Sequence, residues 1–284
     1  MQNAELNLKD YMHLWGARQV PFHDNDELKL FETEQHQRIR ELLQQTAALR
    51  SVMLLSGDNG VGKSALVAQW IQELSPKLYA PLVITQATLS ASAVLATLVG
   101  KLGRTPSMFR SRNIKEIEEA LPRLGRLTPV LVLDEAQNYS PSSIEEVRLL
   151  LGLNLPQQPL FALILVGDNY LLDTLRLQSR RPLYSRIATA YHMEPLTYEQ
   201  TRDFLVHSAE TAGIQRDCFD DHAMQMIAMA ADGIPRTIQL IARSAWCEAS
   251  RQRETLVHVK HVEHALQLIP VARDKVATAI HGVA

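Results

Sequence analysis

Residues 57–64 of the sequence read Gly-Asp-Asn-Gly-Val-Gly-Lys-Ser, which fits the pattern Gly-x-x-x-x-Gly-Lys-Ser/Thr. An apolar run at residues 52–55 precedes this segment, and a stretch with helical periodicity follows it. A strand that passes through a glycine-rich loop into a helix allows few folds, because the loop must curl until its N–H groups point inward. Those N–H groups and the helix N-terminus together bind phosphate. The segment therefore predicts a phosphate-binding loop in an α/β fold.

Two side chains at the end of this loop have predicted chemical roles. The Lys63 ammonium would contact the β- and γ-phosphates of a nucleotide, and the Ser64 hydroxyl would bind Mg²⁺. These roles indicate ATP and Mg²⁺ as cofactors. The residues that we assign to nucleotide binding are Gly57, Asp58, Asn59, Gly60, Val61, Gly62, Lys63, Ser64 and Ala65.

Asp134 and Glu135 directly follow a second apolar run, at residues 130–133. A buried strand would deliver both carboxylates to the edge of the sheet that carries the glycine-rich loop. Asp134 is predicted to hold the Mg²⁺ shell, and Glu135 to orient or deprotonate the attacking water. An Asp-Glu pair after such a loop favours a hydrolase over a small-molecule kinase.

Predicted strands alternate with helices in the first two thirds of the chain, which implies a parallel sheet with helices on both faces. The predicted strands are residues 52–55, 81–85, 130–133 and 160–166. Only helices are predicted further on, at residues 199–211, 220–231, 235–250 and 259–268. The predicted domains are an N-terminal arm at 1–25, an α/β domain at 26–194, an all-helical domain at 195–269 and a tail at 270–284.

The glycine-rich loop and the Asp-Glu strand, in this order, resemble the motifs of AAA+ ATPases, and the resemblance extends from about residue 11 to residue 269. It implies an AAA+ core, with a parallel sheet flanked by helices, and a C-terminal helical lid. It also implies a polar sensor after the strand at residues 160–166, where either Asp168 or Asn169 fits.

The resemblance further implies an arginine that acts on the nucleotide of the neighbouring subunit. Residues 184–187, Tyr-Ser-Arg-Ile, resemble the segment that carries this finger. Arg186 is therefore the first candidate and Arg181 the second, with Arg176 and Arg180 nearby. A guanidinium suits this role because its geometry matches the charge on the transferring phosphoryl group.

Two other segments refine the resemblance. Residues 233–236, Gly-Ile-Pro-Arg, resemble the second sensor, which implies that Arg236 reaches the γ-phosphate within its own chain. Residues 15–22 resemble the N-terminal region of the ExeA-like group, a region implied to contact adenine. This group includes the secretion ATPase ExeA and the transposition regulators TnsC, TniB and MuB. Its secretion members continue into a membrane segment and a cell-wall-binding domain. Because the sequence has neither, we expect a protein closest in kind to the transposition regulators.

The charge balance excludes one mode of nucleic-acid binding. With 29 Lys and Arg against 31 Asp and Glu, the net charge of −2 argues against a chain that coats nucleic acid by overall positive charge. A stretch at residues 101–115 nevertheless contains no acidic residue, and Thr-Pro-Ser at residues 105–107 predicts that its basic residues share a loop. These predicted DNA-binding residues are Lys101, Arg104, Arg110, Arg112 and Lys115. Repeated in each subunit of an oligomer, such a loop would follow a phosphate backbone.

These features together predict an ATPase that assembles with ATP into a ring or filament on double-stranded DNA. Its further predicted partners are a transposase, which it recruits or activates at target DNA, and a target-selection protein. Two alternatives stay open: a secretion or envelope-assembly ATPase of the ExeA type, and a helicase-loader-like nucleotide switch. The apolar run at residues 160–166 is far shorter than the roughly 20 residues of a membrane span. We therefore expect no membrane partner and a cytoplasmic location.

Overall fold

The computed structural model describes residues 2–23, 31–86, 88–154, 158–177 and 181–270. The chain divides into two compact units. The first, called here the α/β unit, comprises Glu34–Asp58 and Lys63–Met193. The second, called the helical unit, comprises Met1–Thr33, Asn59–Gly62 and Glu194–Ala284. The domain ranges drawn from the sequence stay a prediction.

The elements of the α/β unit alternate as the sequence predicts. They are α2 (Glu34–Leu49), β1 (Val52–Gly57), α3 (Lys63–Glu73), β2 (Tyr79–Ile84), α4 (Ala91–Lys101), α5 (Arg110–Arg123), β3 (Thr128–Leu133), α6 (Pro141–Leu150), β4 (Ala162–Val166), α7 (Leu171–Arg176), α8 (Arg181–Tyr184) and β5 (Ile187–Met193). The elements of the helical unit are α1 (Gln2–Trp15), α9 (Tyr198–Thr211), α10 (Asp221–Ala231), α11 (Pro235–Arg251) and α12 (Val259–Leu268).

Five parallel strands form one sheet in the order β2-β3-β4-β1-β5, flanked by helices. β1 lies between β4 and β5, so that Leu54 is paired with Leu165 on one side and Ala190 on the other. Every residue of β1 and β4 is buried. Strands covered on both faces are continuous apolar runs, which is why the sequence predicts both of them. The predicted α/β class with a parallel sheet is confirmed.

The apolar core of the α/β unit joins the sheet to its helices. Leu54, Leu131 and Leu165 of the central strands belong to the same buried cluster as Leu95 of α4 and Val147 of α6. Each of these side chains is almost completely withdrawn from solvent. Full burial of an aliphatic side chain contributes about 1.5–3 kcal/mol, so this cluster holds the strands and helices of the α/β unit together.

Local hydrogen bonds fix where several helices begin. The Ser140 hydroxyl accepts a hydrogen bond from the Ser143 N–H (3.1 Å) at the start of α6, and Pro141 occupies the first helical position. At the start of α9, Thr197 and Gln200 form a reciprocal capping box. The cap at Thr197 agrees with the helix predicted from residue 199 to within about two residues.

The helical unit has its own core around two tryptophans. Trp15 of α1 and Trp246 of α11 are buried with their ring centroids 6.3 Å apart. The Trp15 indole N–H donates a hydrogen bond to the buried hydroxyl of Ser250 (2.8 Å). The Arg216 guanidinium lies 5.4 Å from the centroid of the Trp15 ring and donates a hydrogen bond to the carbonyl of Leu14. These contacts anchor α1 on the unit.

Among the described elements, α1, β5 and the short helices α7 and α8 have no counterpart in the elements predicted from the sequence. β5, at the edge of the sheet, alternates half-buried and exposed residues, so it has no continuous apolar run. The chain before Trp15 is predicted as an arm but forms helix α1. Within the described ranges, no helix combines the length and the apolar character that a bilayer crossing requires.

We expect Ser250→Ala to lower the free energy of unfolding of the chain by about 1–3 kcal/mol, because the buried Trp15 N–H loses its acceptor. Urea denaturation followed by tryptophan fluorescence measures this change. Ser244→Ala on the same helix is the matched control, because Ser244 is only half-buried, and it should change stability by less than about 0.5 kcal/mol. Equal stability of the two variants would contradict the anchoring role of this hydrogen bond.

Candidate functional site

The glycine-rich loop connects the end of β1 to the start of α3. Residues 58–62 form the turn, and the helix begins at Lys63. Gly60 and Gly62 have φ angles of 87° and 110°, which residues with a side chain rarely adopt. A Cβ on Gly60 would lie 2.9 Å from the Cβ of Arg236, within the helical unit. Both backbone conformation and available space therefore require glycine at Gly60.

Lys63 is buried, and its side chain folds back onto the loop. Its ammonium donates hydrogen bonds to the carbonyls of Gly57 (2.8 Å) and Asp58 (2.9 Å). Burial lowers the pKa of Lys63, whereas nearby carboxylates, led by Glu135 and Asp134, oppose that shift. This ammonium is thus held at the loop, where an incoming phosphate would meet a positive charge.

Ser64 and Asp134 meet at the position predicted for Mg²⁺. The Ser64 hydroxyl donates a hydrogen bond to Oδ1 of Asp134 (3.0 Å). Hydroxyl and carboxylate oxygens are ligands that Mg²⁺ prefers, and Mg²⁺ in such sites takes its other ligands from phosphate and water. The donor set therefore fits a metal ion that arrives with a nucleotide.

Glu135 occupies a left-handed backbone conformation, with φ 51° and ψ 43°, at the start of a 3₁₀ turn (Ala136–Asn138). Its N–H donates a hydrogen bond to Oδ1 of Asp134 (2.9 Å), and its exposed side chain accepts one from the Gln137 amide (2.7 Å). A non-glycine residue in this conformation is uncommon and is found at functional sites. The Glu135 carboxylate is exposed to solvent, as a base for a bound water requires.

The turn after β4 lies beside the loop and distinguishes the two sensor candidates. Asp168 uses its carboxylate within the turn, where Oδ1 accepts from the Tyr170 N–H (3.0 Å). Asn169 instead donates its side-chain amide to Oδ1 of Asp58 in the glycine-rich loop (2.5 Å). Asn169 is therefore the candidate whose side chain reaches the loop.

Tyr139 connects the end of β2 to the segment that follows β3. It is buried, and its hydroxyl donates a hydrogen bond to the carbonyl of Ile84 at the end of β2 (3.3 Å). Burial and the Asp134 carboxylate raise the pKa of Tyr139 to about 12. The phenol therefore stays neutral and links β2 to the turn that follows β3.

The candidate finger arginines have different environments. Arg186 is half-buried, and its guanidinium donates a hydrogen bond to the carbonyl of Arg148 in α6 (3.1 Å). Arg181, at the start of α8, is exposed. Arg176 is paired with Asp173 (3.0 Å), and Arg180 lies outside the described residues. Exposure favours Arg181 for a role that requires contact with another subunit.

Arg236 lies in the first turn of α11, directly after Pro235. Its backbone N–H donates a hydrogen bond to the carbonyl of Gly60 (3.2 Å), a contact inside the helical unit. Gly233 is packed against Leu196 so closely that a Cβ would collide with the Leu196 carbonyl. The backbone of residues 233–236 is thus fixed by packing, while the contact of Arg236 with a γ-phosphate stays a prediction.

The basic stretch does not form one loop, and this part of the prediction is wrong. Lys101 is the last residue of α4, and Arg110, Arg112 and Lys115 lie in the first turns of α5. The buried Asn113 side chain bonds to the N–H and carbonyl of Ser107 and closes the connection between the two helices. Of the five basic residues, only Arg104 lies in that connection.

Two of the five basic residues have acidic partners. Nε and Nη2 of Arg110 donate hydrogen bonds to the two oxygens of the nearly buried Glu146 carboxylate (2.7 and 2.9 Å). This interaction raises the pKa of Arg110. Lys115 lies 3.9 Å from Glu119, one turn along α5. Arg110 therefore fastens α5 to α6, and the basic surface consists of Lys101, Arg104 and Arg112, called here the basic turn.

Two features of the basic turn are not evident from its sequence alone. A cleft of about 420 Å³ is lined by Arg104 and Arg112, with Glu116 at its side. Met108 and Phe109 project from the same turn, with 97% and 72% of their surfaces exposed. Large apolar side chains this exposed, beside basic groups, indicate a contact surface rather than a core.

The chain resembles proteins of one broad class. The family model described as "AAA domain" matches residues 45–175, which include the glycine-rich loop, Asp134, Glu135 and the turn after β4. The General secretion pathway protein A of Aeromonas hydrophila is 27% identical over 258 residues, or 87% of this chain. The chain spans about half of that relative, 46% of its length.

Solved structures share the fold. Cdc6p from Pyrobaculum aerophilum has a TM-score of 0.67 at 20% identity, covering 91% of this chain and 71% of that one. The Aeropyrum pernix ORC1 protein, solved in complex with DNA, has a TM-score of 0.61 at 23% identity, covering 85% and 65%. The Thermotoga maritima RuvB Holliday junction branch migration motor has a TM-score of 0.56 at 17% identity, covering 84% and 70%.

We expect Gly60→Ala to weaken ATP binding by about tenfold or more, a loss of about 1.4 kcal/mol, because the loop must shift to relieve its backbone and its contact with Arg236. Isothermal titration with ATP and Mg²⁺ measures the affinity. Gly125→Ala is the matched control, because Gly125 also has a positive φ (65°) but nothing within 4 Å of a Cβ. Equal affinities in the two variants would exclude the loop as the phosphate site.

Proposed function

We propose that this chain, which carries an AAA domain and is a P-loop AAA+ ATPase, binds double-stranded DNA as an ATP-dependent oligomer. The observation that carries the proposal is the basic turn on the α/β unit, in which Lys101 and Arg112 are exposed and Arg104 is half-buried. ATP binding and hydrolysis would control assembly, and assembly would supply the DNA affinity that a chain of net charge −2 lacks.

The proposed hydrolysis uses the residues that meet at the sheet edge. The loop N–H groups and Lys63 bind the phosphates, and Ser64 and Asp134 hold the Mg²⁺ that would neutralise phosphate charge. Glu135 orients the attacking water and accepts its proton. Asn169, joined to Asp58, is the proposed sensor of the phosphate state. The hydrogen bonds at the sheet edge and the chemistry of phosphoryl transfer support these proposed roles.

The proposed oligomer completes this site with an arginine from the next subunit. An arginine finger stabilises charge on the transferring phosphoryl group. We prefer Arg181 to Arg186, because Arg186 already bonds to α6 of its own chain whereas Arg181 is exposed. Bound ATP would thereby link two subunits, and its hydrolysis would release the link.

The proposed DNA contact is sequence-independent. The basic turn contributes Lys101, Arg104 and Arg112 from each subunit, and repeated guanidinium and ammonium groups bind phosphates without reading bases. Support also comes from the ORC1 protein of shared fold, which was solved in complex with DNA. The client that we propose for the DNA-bound oligomer is a transposase, following the resemblance to transposition regulators.

A second candidate function is a role in secretion or envelope assembly. It is favoured by the 27% identity to the General secretion pathway protein A. In that case ATP-driven assembly would act on a protein partner, and the basic turn would contact that partner or an acidic surface. Duplex binding and fractionation with the cell envelope discriminate the two functions.

We expect the double variant Arg104→Glu and Arg112→Glu to weaken duplex binding by about 10–100-fold at moderate salt, since two phosphate contacts are lost in each subunit. Fluorescence anisotropy with a labelled duplex, a slowly hydrolysed ATP analogue and increasing NaCl measures affinity and salt dependence. Wild type with ADP should bind weakly.

The matched control for this experiment is Arg126→Glu combined with Lys77→Glu, which makes the same change of net charge at sites outside the basic turn. It should bind the duplex as wild type does. Wild-type protein that binds no duplex with the ATP analogue, and that fractionates with the envelope, would overturn the DNA proposal and support the secretion role.

We expect Arg181→Ala to lower the ATPase rate by about 10³-fold, because the finger stabilises the transition state. Mixing this variant with Lys63→Ala, itself inactive, should restore part of the activity, since the intact Arg181 of one subunit serves the intact loop of the other. Colorimetric phosphate release measures both. Normal activity of Arg181→Ala together with loss of activity in Arg186→Ala would reverse the assignment.

A further inference from the structure

Gln137 is a side chain of the α/β unit to which the hydrolysis scheme above gives no role. It lies two residues after Glu135, in the 3₁₀ turn, and is half-buried. Its amide nitrogen donates a hydrogen bond to Oε2 of Glu135 (2.7 Å). Its amide oxygen accepts a hydrogen bond from the backbone N–H of Asp168 (3.2 Å). One side chain thus joins Glu135 to the turn after β4.

The two hydrogen bonds determine the orientation of the amide. A backbone N–H can only donate, so the Gln137 oxygen must face Asp168. The nitrogen then faces the carboxylate of Glu135, which accepts. Rotating the amide by half a turn would place two donors together at one end and two acceptors at the other. The amide is therefore locked and holds one carboxylate oxygen of Glu135 in place.

The neighbouring glycine makes this contact possible. A Cβ on Gly167 would lie 2.5 Å from the Gln137 amide oxygen and 2.6 Å from Cδ2 of Leu171. Any larger residue at this position would push Gln137 away from Asp168. Gly167 is the first residue after β4, and its N–H is bonded to the carbonyl of Leu55 in β1, so its backbone has a fixed position.

We propose that Gln137 is a positioning residue for ATP hydrolysis, which holds the Glu135 carboxylate in the orientation that activates water and couples it to the turn carrying Asn169. Fixing Oε2 leaves Oε1 to accept the proton of the water. The exposed Glu135 side chain, on a left-handed backbone, otherwise rotates among several rotamers, and few of these point at a bound water. The inference rests on the proposed role of Glu135 as the base.

The test compares single-turnover hydrolysis of ATP by the full chain with Mg²⁺ in five variants and one matched control. Gln137→Met keeps the length of the side chain but removes both hydrogen bonds, and should lower the rate by about 10–100-fold. Nucleotide affinity and KM should change by less than about twofold, because Gln137 touches the base and not the loop. Gln137→Glu, which cannot donate to Glu135, should be at least as slow. Gly167→Ala should reproduce the defect through the displaced amide.

Combining Gly167→Ala with Gln137→Met separates positioning from a general loss of structure. If both changes act through the same contact, the double variant should be no slower than Gln137→Met alone, to within about threefold. Multiplicative losses would show independent structural damage and overturn the proposal. The matched control is Gln44→Met, which removes an amide hydrogen bond to the Tyr79 hydroxyl (2.8 Å) in the same unit and should hydrolyse ATP at the wild-type rate.

Glu135→Gln in the same assay separates the two hypotheses. A slow Glu135→Gln with a normal Gln137→Met and Gln137→Glu would overturn the role of Gln137 and leave the base assignment standing. Wild-type turnover in Glu135→Gln would overturn the base assignment itself, and with it the inference. Faster hydrolysis in Gln137→Met would show that Gln137 restrains Glu135, which would also overturn the proposal.

Discussion

Parallel pairing of the central strands is the constraint on which the rest of the site depends. β1, β3 and β4 run in one direction, so their carboxyl ends lie at the same edge of the sheet. The glycine-rich loop, Asp134 with Glu135, and the turn after β4 therefore come together, although they are far apart in sequence. An antiparallel β3 would place its carboxylates at the opposite edge. Ligand sites at the carboxyl ends of parallel strands follow from this geometry in open α/β sheets generally.

Charge at this edge explains why the site suits a nucleotide with its metal ion. Lys63 is one buried ammonium facing several carboxylates, and it is held by two loop carbonyls. A triphosphate adds negative charge beside these carboxylates, so a divalent cation between Ser64, Asp134 and the phosphates would relieve the repulsion. Hydrogen bonds among the loop, Asn169, Gln137 and Glu135 pre-orient these groups, which is how phosphoryl-transfer sites lower their barriers.

The ATPase chemistry and the proposed partners depend on different kinds of structural feature. The proposed hydrolysis depends on side chains at hydrogen-bonding distance from one another, such as Ser64 and Asp134. The proposed DNA binding depends on exposed charge, which would be repeated in an oligomer and would read no base sequence. Arg110 shows this difference. The sequence indicates an exposed basic residue, but two nitrogens of the Arg110 guanidinium donate hydrogen bonds to the carboxylate of Glu146. The surface proposed to contact phosphate therefore contains fewer basic residues than the sequence stretch at residues 101–115.

The sequence by itself determined the glycine-rich loop, the Asp-Glu strand, four of the five strands and most of the helices, because each is a local pattern of glycines, apolar runs or caps. It did not predict α1, α7, α8 or β5. The residues of β5 alternate between half-buried and exposed, and this strand takes its structure from pairing with β1. Tertiary structure alone decided that Asn169 reaches Asp58, that Arg186 bonds to α6 and that Gln137 bridges Glu135 and Asp168. The physical reason is that strand pairing brings these residues together. The spacing of side chains along the chain does not indicate which strands are paired.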